Sequence, residues 1–103
     1  MYLTVRKYRN VQGDRQEIAD TVNNGFVPLI SKIDGFVDYY CIFTDDGSLL
    51  SVSVYQDAKG AADSVRTAAT FVEQRMSKYL PEKPEVISGD VVARRPLEKK
   101  KAA

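Results

Sequence analysis

Gly35-Phe36-Val37-Asp38-Tyr39-Tyr40-Cys41-Ile42-Phe43, Thr44-Asp45-Asp46-Gly47 and Ser48-Leu49-Leu50-Ser51-Val52-Ser53-Val54-Tyr55 form the continuous stretch that decides the fold. Two runs rich in β-branched and aromatic residues flank an Asp-Gly step, the strongest short-range cue for a hairpin. The second run alternates: Leu50, Val52 and Val54 point one way, Leu49, Ser51, Ser53 and Tyr55 the other. The first run is apolar or aromatic on both faces and needs a cover on each. One layer of helices covers one face and leaves the other to a second body.

Working outward, residues 2–9 read as a strand with Leu3 and Val5 on one face and Tyr2, Thr4, Arg6 and Tyr8 on the other. The second face is amphipathic, because Tyr and Arg carry large apolar bodies. A helix is expected from about Asp14 to Lys32, with Asp14 as N-cap and Glu17 at capping-box spacing. Ile18, Val22, Leu29, Ile30 and Ile33 give its apolar stripe, which Gly25 and Pro28 interrupt. Pro28 cannot donate to the carbonyl of Asn24, so a kink is expected around Asn23–Pro28. Asp57 caps a second helix, roughly residues 58–78, with a stripe of Ala58, Ala61, Ala62, Val65, Ala68, Ala69, Val72 and Met76. A Pro-rich connector over 79–84 leads to a last strand, from Glu85 to about Arg94. The order is β-α-β-β-α-β, a ferredoxin-like α+β fold with a four-stranded antiparallel sheet. Residues 1–94 are expected to form the domain and 95–103 a charged, disordered tail. The sheet face without helices is expected to hold Tyr2, Arg6, Tyr8 and the hairpin aromatics. A second copy of the same sheet is its simplest cover, so the expected partner is the chain itself, as a homodimer.

Composition excludes more than it assigns. The chain has 103 residues, 44% hydrophobic and 28% charged, with net charge +1. That is one ordinary domain without an electrostatic pull toward nucleic acid or anionic membrane. No apolar run is long enough to span a bilayer, and the first residues lack the layout of a secretory signal. One cysteine, Cys41, rules out an internal disulfide and fits a reducing, cytoplasmic setting. The absence of histidine removes any His-based triad, imidazole base or His haem ligand. No metal and no cofactor are expected.

Several stretches carry a family resemblance: Gly25-Phe26-Val27-Pro28-Leu29-Ile30, Ile33-Asp34-Gly35-Phe36-Val37-Asp38-Tyr39-Tyr40, Ser51-Val52-Ser53-Val54-Tyr55-Gln56-Asp57, and the Ala-rich second helix through Glu73. Over residues 2–94 the chain resembles the antibiotic biosynthesis monooxygenase-like family, whose members form dimeric α+β barrels. The resemblance implies cofactor-free oxygenation of a small aromatic or quinol-like compound. The alternative is a non-enzymatic homodimeric module that binds a small ligand or serves as a structural unit. An isomerase-like or dehydratase-like activity is a third reading. The haem-degrading branch relies on His and Trp, and this chain has neither. Phe71 and Val65 stand where related sequences often carry Trp and Asn, so no catalytic residue is carried over.

Cofactor-free oxygenation needs an electron-rich substrate anion in a dry pocket, with aromatic walls and a stabilising cation. Arg6 is the candidate cation, and it has Asp38 or Asp90 as candidate partners. Tyr8, Tyr39, Tyr40 and Tyr55 are candidate hydrogen-bond donors. Asn23 and Asn24, beside the helix break, are candidates for a substrate carbonyl, with Arg66 on the second helix nearby. The resemblance implies a pocket between the sheet and the helices of one subunit. Its mouth is expected at Gly25-Phe26-Val27-Pro28. The substrate-binding set read from the sequence is therefore Asn23, Asn24, Tyr39, Arg66, Arg6 and Tyr55. Cys41 is expected to be an inert small hydrophobe.

Overall fold

The computed structural model describes residues 1–97. The expected disordered tail lies outside the described residues from position 98 onward. Strands β1 (Tyr2–Tyr8), β2 (Phe36–Phe43), β3 (Leu49–Tyr55) and β4 (Glu85–Asp90) form one antiparallel sheet in the order β2-β3-β1-β4. Helices α1 (Arg15–Thr21) and α2 (Val27–Ile30) form one rod joined by a π-helical turn, Val22–Phe26. Helix α3 (Ala58–Phe71) continues into a second π-helical turn, Val72–Met76. This is the ferredoxin-like α+β order. Among the described residues, no helix is long and apolar enough to cross a membrane.

Local chemistry sets the element starts. The Asp14 carboxylate accepts from the Glu17 N–H at 3.0 Å, and the Asp57 carboxylate accepts from the Gly60 N–H at 3.0 Å. Each satisfies a backbone donor that the first helical turn leaves free. At the expected break the helix widens instead of ending. The Val27 N–H donates to the Val22 carbonyl, five residues back, and Pro28 falls in the first turn of α2. There its missing N–H costs nothing.

The faces expected for β1 and for the hairpin aromatics of β2 differ from those observed. Thr4, Arg6 and Tyr8 are buried beneath the helices, whereas Leu3, Val5 and Lys7 alternate with them on the open face. On β3, Leu49, Ser51, Ser53 and Tyr55 face the helices, and Leu50 and Val52 face out. A bulge between Phe36 and Asp38 resets β2, so that Tyr39, Cys41 and Phe43 face in and Tyr40 and Ile42 face out. The open face therefore carries Leu3, Val5, Tyr40, Ile42, Leu50, Val52 and Ile87 rather than Tyr2, Arg6 and Tyr8. Ile42, Tyr40 and Ile87 are 50%, 58% and 60% exposed. Amphipathic Tyr and Arg side chains do not reveal their side from pattern alone.

Helix α3 is likewise rotated from the expected stripe. It buries Gly60, Ala61, Ser64, Ala68 and Phe71, while Ala58, Ala62 and Ala69 are exposed and Val65 is half-buried. Gly60 sets this rotation. A Cβ there would lie 2.9 Å from the Asp34 carbonyl oxygen and 2.8 Å from the Tyr55 ring. The helix lies that close at this point because residue 60 has no side chain. Strand β4 ends at Asp90, short of the expected Arg94.

Gly47 closes the β2–β3 connection with φ +83 and nothing within 4 Å of a built Cβ. Its N–H donates to the Thr44 carbonyl at 3.0 Å. Substitution there costs backbone strain alone. Gly47→Val is expected to destabilise the fold by about 1 kcal/mol or more. Chemical denaturation checks this, and an unchanged midpoint would contradict the turn geometry.

Candidate functional site

The centre of the helix-facing sheet surface is polar. The β1–β3 register sets Thr4 opposite Ser53 and Arg6 opposite Ser51, and Thr4, Arg6, Ser51 and Ser53 are all buried. Thr4 is satisfied by Ser88, whose hydroxyl donates to it at 3.1 Å. Arg6 is not satisfied to the same degree, although it is only 2% exposed. Its Nη2 donates to Ser51 Oγ at 3.1 Å, and its Nη1 reaches Ser53 Oγ only at 3.5 Å. Its Nε has no partner among the described residues. Its guanidinium carbon lies 5.7 Å from the Phe26 ring centroid, within cation–π range. The ion pairs among the described residues, Lys7–Asp46, Arg9–Glu85 and Arg66–Asp63, do not include it. Asp38, one expected partner, instead accepts from the Tyr40 hydroxyl and the Tyr39 N–H on the outward side of β2. Asp90 is exposed at the end of β4, opposite Tyr2.

The groups around Arg6 are neutral at ordinary pH. Burial pushes the Tyr8 hydroxyl up despite the opposing pull of Arg6. Burial likewise holds the Tyr39 hydroxyl well above the usual phenol range, with a smaller push from Cys41. It also raises the Cys41 thiol. Tyr39 Oη and Ser51 Oγ share a 2.7 Å hydrogen bond, which ties Tyr39 to the oxygen that receives Arg6. A cation in low dielectric, ringed by neutral hydroxyls, is stabilised less than one beside a full opposite charge. Among the described residues, no cluster of Cys, Asp and Glu side chains forms a metal site.

Three spaces meet at this cluster. The interior between sheet and helices keeps a cavity of only about 20 Å³, room for about one water, touched by Arg6, Tyr8, Tyr39, Cys41 and Ser51. Both π-helical turns border it, through Val22 and Phe26 on one and Val72 and Met76 on the other. Such turns recur at functional sites because they re-aim side chains. A groove of about 440 Å³ between α1 and the edge strand β2 reaches Tyr39 and Cys41 and includes Asn23 and Val27. A second, of about 610 Å³, lies between α3 and the Leu80–Pro84 segment and reaches Arg6 and Tyr8.

The residues expected from the sequence scatter among these spaces. Arg6 and Tyr39 meet at the interior cavity. Asn23 is exposed on the α1–β2 groove, beside the expected mouth. Asn24 is exposed and borders none of the three spaces. Arg66 is exposed on α3 and paired with Asp63. Tyr55 is buried away from them, where its hydroxyl donates to the Ile30 carbonyl at 2.9 Å and its ring packs edge-on against Phe36. That bond satisfies a carbonyl at the end of α2 and is structural. Ser51 and Ser53 were missed as Arg6 acceptors. Their signal is the serine pair that shares a strand face with Leu49 and Tyr55, once Arg6 is placed on the same face.

No protein-family model matches the chain, and no curated protein sequence matches it. Solved structures do. A monooxygenase from Streptomyces coelicolor, solved in complex with the ligand Nanaomycin D, superposes with TM-score 0.67 at 12% identity, over 94% of this chain and 92% of its own. SnoaB, a cofactor-independent oxygenase from Streptomyces nogalater, gives TM-score 0.60 at 18% identity, over 95% and 97% of the two chains. A protein of unknown function from Nitrosomonas europaea gives TM-score 0.71 at 16% identity, over 95% and 94%. At these identities the likeness is one of fold. The chain has the fold of the antibiotic biosynthesis monooxygenase-like proteins.

A buried cation without a carboxylate is a burden on the fold. Arg6→Met keeps the apolar stem and removes the charge. Its stability is expected to match or exceed that of the unmodified protein, by up to roughly 1 kcal/mol or more. A purely structural Arg6 would instead give a loss of about 2 kcal/mol or more on thermal or denaturant unfolding.

Proposed function

We propose that the protein is a monooxygenase-like enzyme that oxidises a small, acidic aromatic or quinol-like compound without a cofactor. Residues 1–94 serve as the working domain. The observation that carries this reading is Arg6, buried and, among the described residues, without a carboxylate partner or a partner for Nε. The oxygenase fold of SnoaB and of the Streptomyces coelicolor monooxygenase supports it.

The chemistry follows from the charge. A substrate with an acidic C–H or phenolic O–H becomes electron-rich on losing its proton. A guanidinium in a dry site stabilises the resulting phenolate or enolate far better than water-exposed charge does. Tyr8 and Tyr39, held protonated, are donors within the same cluster. Dioxygen is the co-substrate. A ring CH₂ becomes C=O, one oxygen atom enters the product and the other leaves as water, so the substrate supplies all the electrons. The interior cavity of about 20 Å³ is too small for a ring. The ring body therefore occupies one of the adjoining grooves, with its acidic atom at Arg6.

The nearly filled interior favours a second reading, a non-enzymatic homodimeric module for a small ligand. Both readings include the homodimer, because the open sheet face exposes Tyr40, Ile42 and Ile87 beside Leu50 and Val52. A lone thiol at Cys41 fits a cytoplasmic setting.

Oxygen uptake with a panel of acidic aromatic ketones and quinols separates the readings. The enzyme reading expects uptake above the uncatalysed rate, falling by about 100-fold or more in Arg6→Met while that variant stays folded. Binding without uptake would leave the module. The dimer is checked separately by sedimentation at micromolar concentration. Ile42→Lys, on the open face, is expected to shift the population toward monomer. A folded monomer in the unmodified protein would remove the homodimer from both readings.

A further inference from the structure

We propose that the groove between α3 and the Leu80–Pro84 segment is the entrance and bed of the ligand. We further propose that it selects a molecule with one anionic head and an elongated, uncharged apolar body. The inference rests on the proposed anion site at Arg6 and adds to it a direction of approach and a ligand shape.

Of the two grooves that open from the interior, this one ends on the cation. Arg6 and Tyr8 form its inner end, whereas the α1–β2 groove stops at Tyr39 and Cys41. At about 610 Å³ it lies within the usual size of small-molecule sites. Val65, Ala69, Val72, Leu80, Pro81 and Pro84 make most of its wall. Such a wall offers burial to rings or methylenes and few hydrogen bonds to anything else. Arg6, whose buried Nε has no partner among the described residues, supplies the polar demand in this lining. Two features keep the groove open. Ala69 presents a methyl group where a larger residue would fill it, and β4 is exposed along its whole length, so no helix covers that side of the sheet.

The outer end reads charge differently. Apart from Arg6, the charged residues that border the groove are Glu73, Glu82 and Lys83, all exposed. A second negative charge on the far end of a ligand would meet carboxylates within a Debye length. A monoanion with its charge carried inward avoids them. Entry is therefore on the α3 side and not at the helix break near Pro28, where the sequence suggested a mouth.

Equilibrium dialysis of the full chain with 2-naphthoate tests this, alongside 2-naphthalenemethanol and naphthalene-2,6-dicarboxylate. Ala69→Phe fills the groove from an exposed helix position, and Asn23→Phe fills the opposite one. Thermal melting confirms that both variants fold. The expected result is that 2-naphthoate binds, with affinity falling about tenfold or more in Ala69→Phe and holding in Asn23→Phe. The neutral alcohol and the dianion are expected to bind about tenfold more weakly than the monoanion. Loss of binding in Asn23→Phe with retention in Ala69→Phe would overturn the groove and leave the anion site standing. Full affinity in Arg6→Met would overturn the anion site, and the ligand's direction with it. Equal affinity for acid and alcohol, or no binding by the unmodified protein, would also overturn the proposal.

Discussion

The pairing of β1 with β3 places two serines and a threonine around one arginine in the middle of the sheet, on the side the helices cover. A one-residue slip in that register would carry Arg6 to the opposite face from Ser51 and put Val5 or Lys7 in its place. Most of what is unusual in the molecule follows from this register. The helix-covered side has a polar centre, and the side without helices is apolar. A two-layer fold that stood alone would keep its open face polar and would carry apolar side chains at this centre as well as around it.

The inversion has two physical consequences. The open face sets Leu, Val, Ile and Tyr side chains toward water, which is an unfavourable exposure. The covered face requires a reason for its polarity, because burying Arg6 among hydroxyls forgoes burial that Leu or Met would supply. The rest of the core compensates. Phe26, Phe71 and Tyr39 pack with ring centroids 5.5 Å apart in each adjoining pair. The Tyr55 hydroxyl anchors the end of α2 to the sheet. The helices are thus held over the polar centre by aromatic contacts at its flanks, and the centre itself is not asked to stabilise the fold.

Much of the fold was legible because local rules acted without competition. Asp14 and Asp57 cap helices, Gly47 takes the positive dihedral of the hairpin loop, and the element order follows from periodicity. Pro28 announced an irregular helix. The form of that irregularity, a π-helical turn, depends on where the next carbonyl can find a donor, which pattern does not encode. The facing of β1 was not legible, since Tyr, Thr and Arg are at home both in a core and at a surface. The same ambiguity governed the site. Arg6 and Tyr39 could be named as polar groups suited to a site, though not as neighbours. Asn23, Asn24 and Arg66 were chosen for nearness to the break or to the second helix in sequence. Tyr55 was chosen for its hydroxyl, and the Ile30 carbonyl already holds that bond. Ser51 and Ser53 carry no chemistry as isolated letters and gain it only from the strand they pair with.

The small interior cavity and the buried charge are compatible. A site that stayed open and dry around a bare guanidinium would be less stable than one that collapses onto it, because each lost contact adds to the cost of the unpaired charge. In this conformation Phe26 lies over Arg6 and Ser51 accepts a hydrogen bond from it, which is the partial compensation available without an anion. An anion arriving from the α3 side would supply what these neutral groups cannot, a full opposite charge on Nε and Nη. The energy so recovered is available to displace side chains at the inner end of the groove. Val72 and Leu80 border both the cavity and that groove, and Val72 belongs to a π-helical turn. The wall between the two spaces is therefore a few side chains thick, and the force acting across it is the unmet demand of one arginine.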